Sequence, residues 1–244
     1  VPEDSLPTIV ASYGPIAQSD PAVFLGINAP ISGIAGDQQA ALVGHAGFHS
    51  GNAKCTYGTG SFLLLHTGEQ VIHSARGLLT TVALAHPNEN HPNETSPARR
   101  DFALEGSIFV TGAAVQWLRD GLGIIQSSSD VESLALSVPD SGGVVFVPAL
   151  TGLAAPNWDP HARGLIIGIN RGTTAAHIAR ATLEGIALEV LDVIDLMSEE
   201  MGSRLPYLAI DGGASLNNLL CQLQADIAQL PVKRSEQVET TGLG

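Results

Sequence analysis

The chain has 244 residues, which is enough for one large domain or a domain and a half with a buried core. Hydrophobic residues make up 44% and charged residues only 14%, so the composition excludes a disordered tail and a charged coiled coil. The formal net charge of −13, without any basic stripe, argues against a nucleic-acid partner. Two cysteines, Cys55 and Cys221, predict neither a disulfide framework nor a metal cluster and favour a reducing cytoplasm. The apolar runs are too short for a membrane span.

The first half of the chain predicts strands around one short helix. Residues 1–33 are rich in Pro, Gly and Ser and predict loops with one or two short strands. Residues 37–47 begin with an acidic residue and end at a glycine, so they predict a helix with Asp37 at its N-terminus. Four β segments bounded by turn formers then predict an antiparallel run with hairpins. These segments are Ala53–Tyr57, Ser61–Thr67, Leu78–Ala85 and Phe102–Ser107. The polar residues 86–97 predict an exposed, mobile loop.

The second half alternates between helix and strand. Apolar residues at steps of three and four predict a helix after Thr111, which can cap it, a short helix near 131–136 and a long one over Ala175–Met201. Further strands are predicted at 144–147, 165–169 and 207–211. A glycine turn and a helix at 216–230 follow the last strand. This pattern predicts an α/β fold in which helices flank a mixed β-sheet.

Two glycine turns are candidates for phosphate or nucleotide binding. Tyr57-Gly-Thr-Gly60 lies between two β segments, where Gly58 lets the backbone approach an anion and the Thr59 hydroxyl can donate to it. Asp211-Gly-Gly-Ala214 follows a strand and precedes a helix. Each turn alone is also compatible with an ordinary tight turn. Together with Gly112 and Gln116 at the start of a helix, they favour a nucleotide pocket.

Asp37 is the candidate general base. A carboxylate at a helix N-terminus is stabilised as the anion, and it can orient a substrate hydroxyl and take its proton. A plain helix cap is the alternative. The eight histidines show no metal-ligand spacing, so no metal-binding residue is predicted.

Several motifs in order along the chain resemble the FGGY family of carbohydrate kinases, within the actin, hexokinase and Hsp70 ATPase superfamily. The Gly-Asp-Gln-Gln run at residues 36–39 resembles the glycerol-phosphorylating members in particular. The other matching motifs are Tyr57–Phe62, Gly77–Thr81, Leu104–Gly106, Gln116–Asp120, Pro156–Pro160, Ala162–Gly164 and Asp211–Ala214. The resemblance implies a ribonuclease H-like ATPase lobe.

The resemblance also implies a role for each candidate residue. Asp37 would be the catalytic base, and Gln38 and Phe62 would line the glycerol site with it. The ATP-binding residues would be Gly58 and Thr59 at the phosphates, Gly112 and Gln116 beside the nucleotide, and Gly213 with Asn217 at the adenosine. The reaction implied is ATP-dependent phosphorylation of glycerol to sn-glycerol 3-phosphate, with Mg²⁺ at the phosphates.

The same resemblance implies a division of the chain. Residues 1–47 would close a first, substrate-binding lobe, and residues 48–244 would be a second, nucleotide-binding lobe that ends before its last elements. The full-length parent would be a cytoplasmic homo-oligomer, and this chain alone would be inactive. Two alternatives stay open: another polyol or sugar kinase of the family, or a non-catalytic nucleotide-binding module.

Overall fold

The N-terminal residues form a two-stranded ribbon, in agreement with the short strands predicted there. The computed structural model describes residues 2, 5–89 and 96–244. In it, β1 (Tyr13–Gln18) pairs antiparallel with β2 (Pro30–Gly33). A short helix, α1 (Asp37–Gly44), follows the ribbon and begins at the predicted acidic residue.

A six-stranded mixed sheet organises the rest of the chain. Its first four strands are β3 (Ala53–Tyr57), β4 (Ser61–Gly68), β5 (Leu79–Pro87) and β6 (Pro97–Ile108). Two later strands, β9 (Leu208–Asp211) and β10 (Val232–Arg234), give the order β10-β9-β3-β4-β6-β5. The pairs formed by β9 with β3 and with β10 are parallel, and the others are antiparallel. The parallel pairing of β3 with β9 brings the two predicted glycine turns to the same edge.

The hairpin of β5 and β6 is longer than the sequence predicts. His86 and Pro87 were assigned to a mobile loop, but they pair with Arg99 and Pro97 and extend the ladder. Antiparallel cross-strand pairing can hold a proline at its end, and this long-range pairing is not visible in local composition. Residues 90–95, the rest of that predicted loop, lie outside the described residues.

Helices cover the sheet and connect its two halves. They are α2 (Gly112–Asp120), α3 (Asp130–Leu136), α4 (Ala175–Met201) and α5 (Asn218–Ala228). Between α3 and α4, β7 (Val145–Val147) pairs with β8 (Leu165–Ile167). The bounds of α4 agree with the prediction, whereas α5 starts later because a 3₁₀ turn, Gly213–Leu216, precedes it. The predicted class, an α/β fold with helices flanking a mixed sheet, is confirmed.

The two faces of the sheet differ in polarity. On β4, Leu63 and Leu65 belong to the main apolar core with α4, whereas Leu64 packs with Leu42 of α1 on the opposite face. This alternation follows from the two-residue period of a strand. Lys54 is paired across the strands with Leu64 and therefore lies on the α1 face. Among the described residues, no helix combines the length and the apolar character needed to cross a bilayer.

Candidate active site

The turn between β3 and β4 is bound directly to the start of α2. The backbone N–H groups of Gly112 and Ala113 donate to the carbonyl oxygens of Gly58 and Thr59, each at 3.0 Å. A Cβ at Gly112 would lie 2.7 Å from the Gly58 oxygen, so this close approach requires glycine there. The Gly58 N–H donates to Gly60 at 2.8 Å. The Gly58 N–H is therefore occupied within the turn, and the Thr59 hydroxyl is a side-chain group of this turn that can donate to a phosphate.

The second glycine turn packs against the end of β3. Gly212 has a φ of +84°, and a Cβ on it would lie 2.5 Å from the Tyr57 carbonyl oxygen, so the fold itself requires this glycine. Gly213 differs, because a Cβ added there meets no atom within 4 Å. The Asn217 side chain accepts the backbone N–H of Leu220 at 2.8 Å and caps α5. This turn therefore combines one glycine fixed by packing with another beside open space.

Both turns line one cavity of about 370 Å³. The six residues predicted to bind the nucleotide all contribute to it: Gly58, Thr59, Gly112, Gln116, Gly213 and Asn217. The apolar floor comes from Leu183 and Ile186 of α4, and Glu132 of α3 adds a carboxylate whose Oε1 accepts the Leu219 N–H at 3.1 Å. The shape is a cleft with glycine-rich walls and a mostly apolar lining, as expected for a small-molecule site.

The residues predicted to bind glycerol lie apart from this cavity, around the start of α1. Asp37 is exposed, and its Oδ1 accepts the Gln38 backbone N–H at 2.9 Å. The side chain of Gln38 accepts a hydrogen bond from Lys54 Nζ, which also donates to the Phe62 carbonyl oxygen at 3.3 Å. The Phe62 ring is 39% exposed. Gln38 and Phe62 are thus connected through Lys54, with Asp37 next in sequence to Gln38.

Lys54 is the centre of a charged cluster on the α1 face of the sheet. Its side chain is fully buried, and burial lowers its pKa from 10.5 to about 8. The carboxylates of Asp211, Glu105 and Asp37 oppose that effect. Burial raises the pKa of Glu105, while the charge of Lys54 acts in the opposite direction. One buried cation is therefore coupled to three carboxylates from three elements.

Asp211 connects this cluster to the other end of α1. Burial acts to raise its pKa, but the polar neighbours His45, Thr240 and Thr56 outweigh burial and hold the pKa below its ordinary range. The Nε2 of His45 lies 3.7 Å from the carboxylate, and the Thr240 hydroxyl donates to it. The carboxylate of the second glycine motif thus stabilises the position of α1 and does not line the cavity.

The C-terminal domain model of the FGGY family of carbohydrate kinases matches residues 53–244. The chain belongs to this family. Among curated relatives, the glycerol kinase of Oleidesulfovibrio alaskensis is 54% identical over the whole chain, which covers 47% of the relative. The glycerol kinase of Gloeobacter violaceus is 53% identical with the same coverage. The chain therefore spans about half the length of these curated relatives.

Solved FGGY kinases have the same fold. The Plasmodium falciparum glycerol kinase with ADP superposes with a TM-score of 0.87 and 38% identity, covering 98% of this chain and 46% of that one. A xylulose kinase from Rhodospirillum rubrum, at 19% identity, reaches a TM-score of 0.77 over 99% of this chain and 47% of its own. The second match shows only the fold. The predicted ATPase-type lobe is confirmed by these neighbours.

The geometry of this FGGY domain fits a nucleotide better than a resident metal. Open space at Gly213 and the apolar floor leave room for a nucleoside, and Thr59 offers a hydroxyl at the turn. Within the described ranges, no three His, Cys, Asp or Glu side chains converge to hold a metal ion.

Sequence reasoning missed the cavity floor and Lys54 in this FGGY domain, and its prediction for the Thr111 side chain is wrong. Leu183 and Ile186 show a helical core pattern, but local sequence does not reveal that this core is the cavity floor. Lys54 gives a signal that could have been used, because it is a charged residue inside an apolar strand segment. Thr111 was expected to cap α2, but its side chain does not cap; its hydroxyl instead pairs with Ser61 at 2.8 Å in the buried core.

Proposed function

We propose that this chain is the nucleotide-binding part of an ATP-dependent kinase that phosphorylates glycerol to sn-glycerol 3-phosphate. One observation carries the proposal: the β3–β4 hairpin has the nucleotide cavity at its turn and the residues around Asp37 beside its strands. Identity above 50% to glycerol kinases over the whole chain supports glycerol as the substrate. The structural likeness to the Plasmodium glycerol kinase with ADP supports an adenine nucleotide as its ligand.

In this proposal, Asp37 accepts the proton of the terminal glycerol hydroxyl. The hydroxyl oxygen forms a bond to the γ-phosphorus of ATP as the bond from that phosphorus to ADP breaks. The exposed carboxylate of Asp37 is oriented by the Gln38 N–H, so it can hold the hydroxyl in line. Gln38 and Phe62 form the wall of the glycerol site. Gly58 and Thr59 face the ATP phosphates, Gly112 and Gln116 flank the nucleotide, and Gly213 with Asn217 holds the adenosine end.

The domain division belongs to the same proposal. Residues 1–47 would close a substrate lobe, and residues 48–244 would form the nucleotide lobe, supported by the family model over residues 53–244. The family resemblance also implies Mg²⁺, which we assign to the nucleotide phosphates because the described residues form no metal site. The homo-oligomer, the cytoplasmic location and the inactivity of the chain alone stay predictions.

A coupled ADP-release assay on a full-length protein that contains this chain tests the proposal. We expect turnover with glycerol to exceed turnover with erythritol or a pentulose by at least tenfold in kcat/KM. A preference for a pentulose would favour another sugar kinase of the family. ADP binding by calorimetry without turnover on any of these acceptors would favour a non-catalytic nucleotide-binding module.

A further inference from the structure

Lys54 is a fully buried charged residue to which the proposed mechanism gives no role. It is completely buried on β3, yet the strand segments around it contribute Ala53, Cys55 and Tyr57 to the apolar core. Burying an ammonium group costs free energy unless its hydrogen bonds are made. A residue retained at such a cost needs partners, and the structure gives Lys54 three of them.

The residues around Asp37, Gln38 and Phe62 form the acceptor side of the domain. Each partner of Lys54 belongs to a different element of this side. The ammonium group donates to Gln38 Oε1 on α1, to Thr56 Oγ1 at 3.0 Å on β3, and to the Phe62 carbonyl oxygen at 3.3 Å on β4. These bonds use the three donors of the group. Gln38 and Phe62 are the residues assigned above to the glycerol site, so one side chain sets the spacing between its two walls.

The contact with Thr56 connects Lys54 to the residues that hold the C-terminal end of α1. Thr56 accepts a hydrogen bond from Lys54 and is paired with Asp211 across β3 and β9. Asp211 is in turn bonded by Thr240 and lies beside His45. Helix α1 is therefore attached to the sheet near both ends, through Gln38 and Lys54 at its start and through His45 and Asp211 at its end. The start of the helix carries Asp37, so its position depends on the Lys54 contact.

We propose that Lys54 is a positioning residue for the acceptor alcohol, holding Gln38 and the Phe62 strand at the distance that lets a small polyol reach Asp37. The residue itself contacts no substrate and no reacting atom. This inference rests on the proposed kinase function. It extends that function by naming the internal contact that shapes the acceptor site.

The main test is Lys54→Met in the full-length protein, assayed with whichever acceptor the wild type phosphorylates. Loss of a charge-assisted hydrogen bond is worth about 1.5–3 kcal/mol, so we expect the KM of the acceptor to rise roughly ten- to hundredfold. The KM of ATP should stay within twofold, because the nucleotide cavity contains no Lys54 contact. Thr67→Val is the matched control, since it removes a buried hydrogen bond at the other end of β4.

A double-mutant cycle separates positioning from general packing. If Lys54 acts through Gln38, the double variant Lys54→Met, Gln38→Ala should lose no more acceptor affinity than the worse single variant. Additive losses, an unchanged acceptor KM, or equal rises in both KM values would overturn the proposal. If Lys54→Met does not fold, the neutral variant Lys54→Gln replaces it in the test, and wild-type acceptor KM in that variant would also overturn the proposal.

The same experiments keep the two proposals distinguishable. A wild type that uses a pentulose rather than glycerol contradicts the proposed substrate, but the Lys54 test then proceeds with the pentulose. A wild type without kinase activity contradicts the proposed function. The role of Lys54 is then tested by calorimetric binding of glycerol, erythritol and a pentulose to the wild type and to the Lys54→Met variant. Equal binding of these probes to the variant and the wild type, or no binding to either protein, would overturn its role.

Discussion

The nucleotide side and the acceptor side of this domain are built in different ways. The cavity at Gly58 and Gly213 has backbone walls and an apolar floor, and its turns are held by close approaches at Gly112 and Gly212 that only glycine allows. The acceptor side has an exposed carboxylate, an exposed ring and a buried cation. Shape therefore dominates the nucleotide side, and charge dominates the acceptor side. A substitution on one side should change nucleotide affinity or acceptor chemistry, but not both.

Asp37→Asn in the full-length protein should give the largest effect. The amide cannot accept the hydroxyl proton, and general-base catalysis is typically worth 10²–10⁴-fold, so kcat should fall by about that factor. ATP affinity should be almost unchanged, because Asp37 does not line the cavity. Asp20→Asn is the control, since Asp20 also accepts a nearby backbone N–H but belongs to the N-terminal ribbon region. A variant that retains more than about a tenth of wild-type kcat contradicts the role of Asp37.

The two adjacent glycines give the next contrast. Gly212→Ala places a Cβ against the Tyr57 carbonyl at a φ of +84°, and we expect a loss of about 2 kcal/mol or more in the free energy of unfolding. Gly213→Ala meets open space and should leave the melting temperature within about one degree of wild type. Thermal unfolding of both variants checks this pair. Equal destabilisation by both would show that the turn packs differently.

The buried lysine gives the smallest effect, a pH dependence of the acceptor side. Groups facing it are Asp37 on α1, Glu105 on β6 and Asp211 on β9, with Cys55 beside it, whose pKa burial raises to about 12. Loss of the Lys54 proton weakens its bond to Gln38, so kcat/KM for the acceptor should fall as pH rises through about 8.

The titration of Lys54 cannot cause this fall in kcat/KM by unfolding the protein. Its folded pKa of about 8 lies below the ordinary 10.5, so the unfolded chain binds more protons between these values. The contribution of Lys54 to stability therefore rises with pH across that window. In the variant Lys54→Arg, the guanidinium stays charged at this pH, so the fall in kcat/KM near pH 8 should disappear. If the arginine variant shows the same fall in kcat/KM, another titrating group causes that fall.

Local patterns predicted the elements that depend on local chemistry. The full length of α4 follows from its apolar period, and the glycine turns follow from their strand and helix neighbours. The six residues predicted to bind the nucleotide all line the cavity. The two glycine turns with Gly112 and Gln116 indicated a nucleotide pocket by their positions, and the family resemblance assigned each residue its role.

Features set by distant pairing could not be predicted in this way. The extra length of β6 comes from its ladder with β5, and the Thr111 hydroxyl turns to Ser61 because α2 packs on the β3–β4 turn. The Lys54 cluster needs β9 beside β3 and α1 above both, an arrangement that no single segment encodes. For the same reason, Asp211 could be recognised as part of a glycine motif but not as the residue that holds α1.

Calorimetric titration of the 244-residue chain with ADP, beside its Gly213→Val variant, tests the central claim that this cavity binds the nucleotide. The Cβ of the valine would enter the open space at Gly213, where no atom lies within 4 Å of it. The account predicts ADP binding by the wild type, at least tenfold weaker binding by the variant and the same melting temperature for both. Equal ADP affinity in the two proteins, or no binding to the wild type at millimolar ADP, would contradict it.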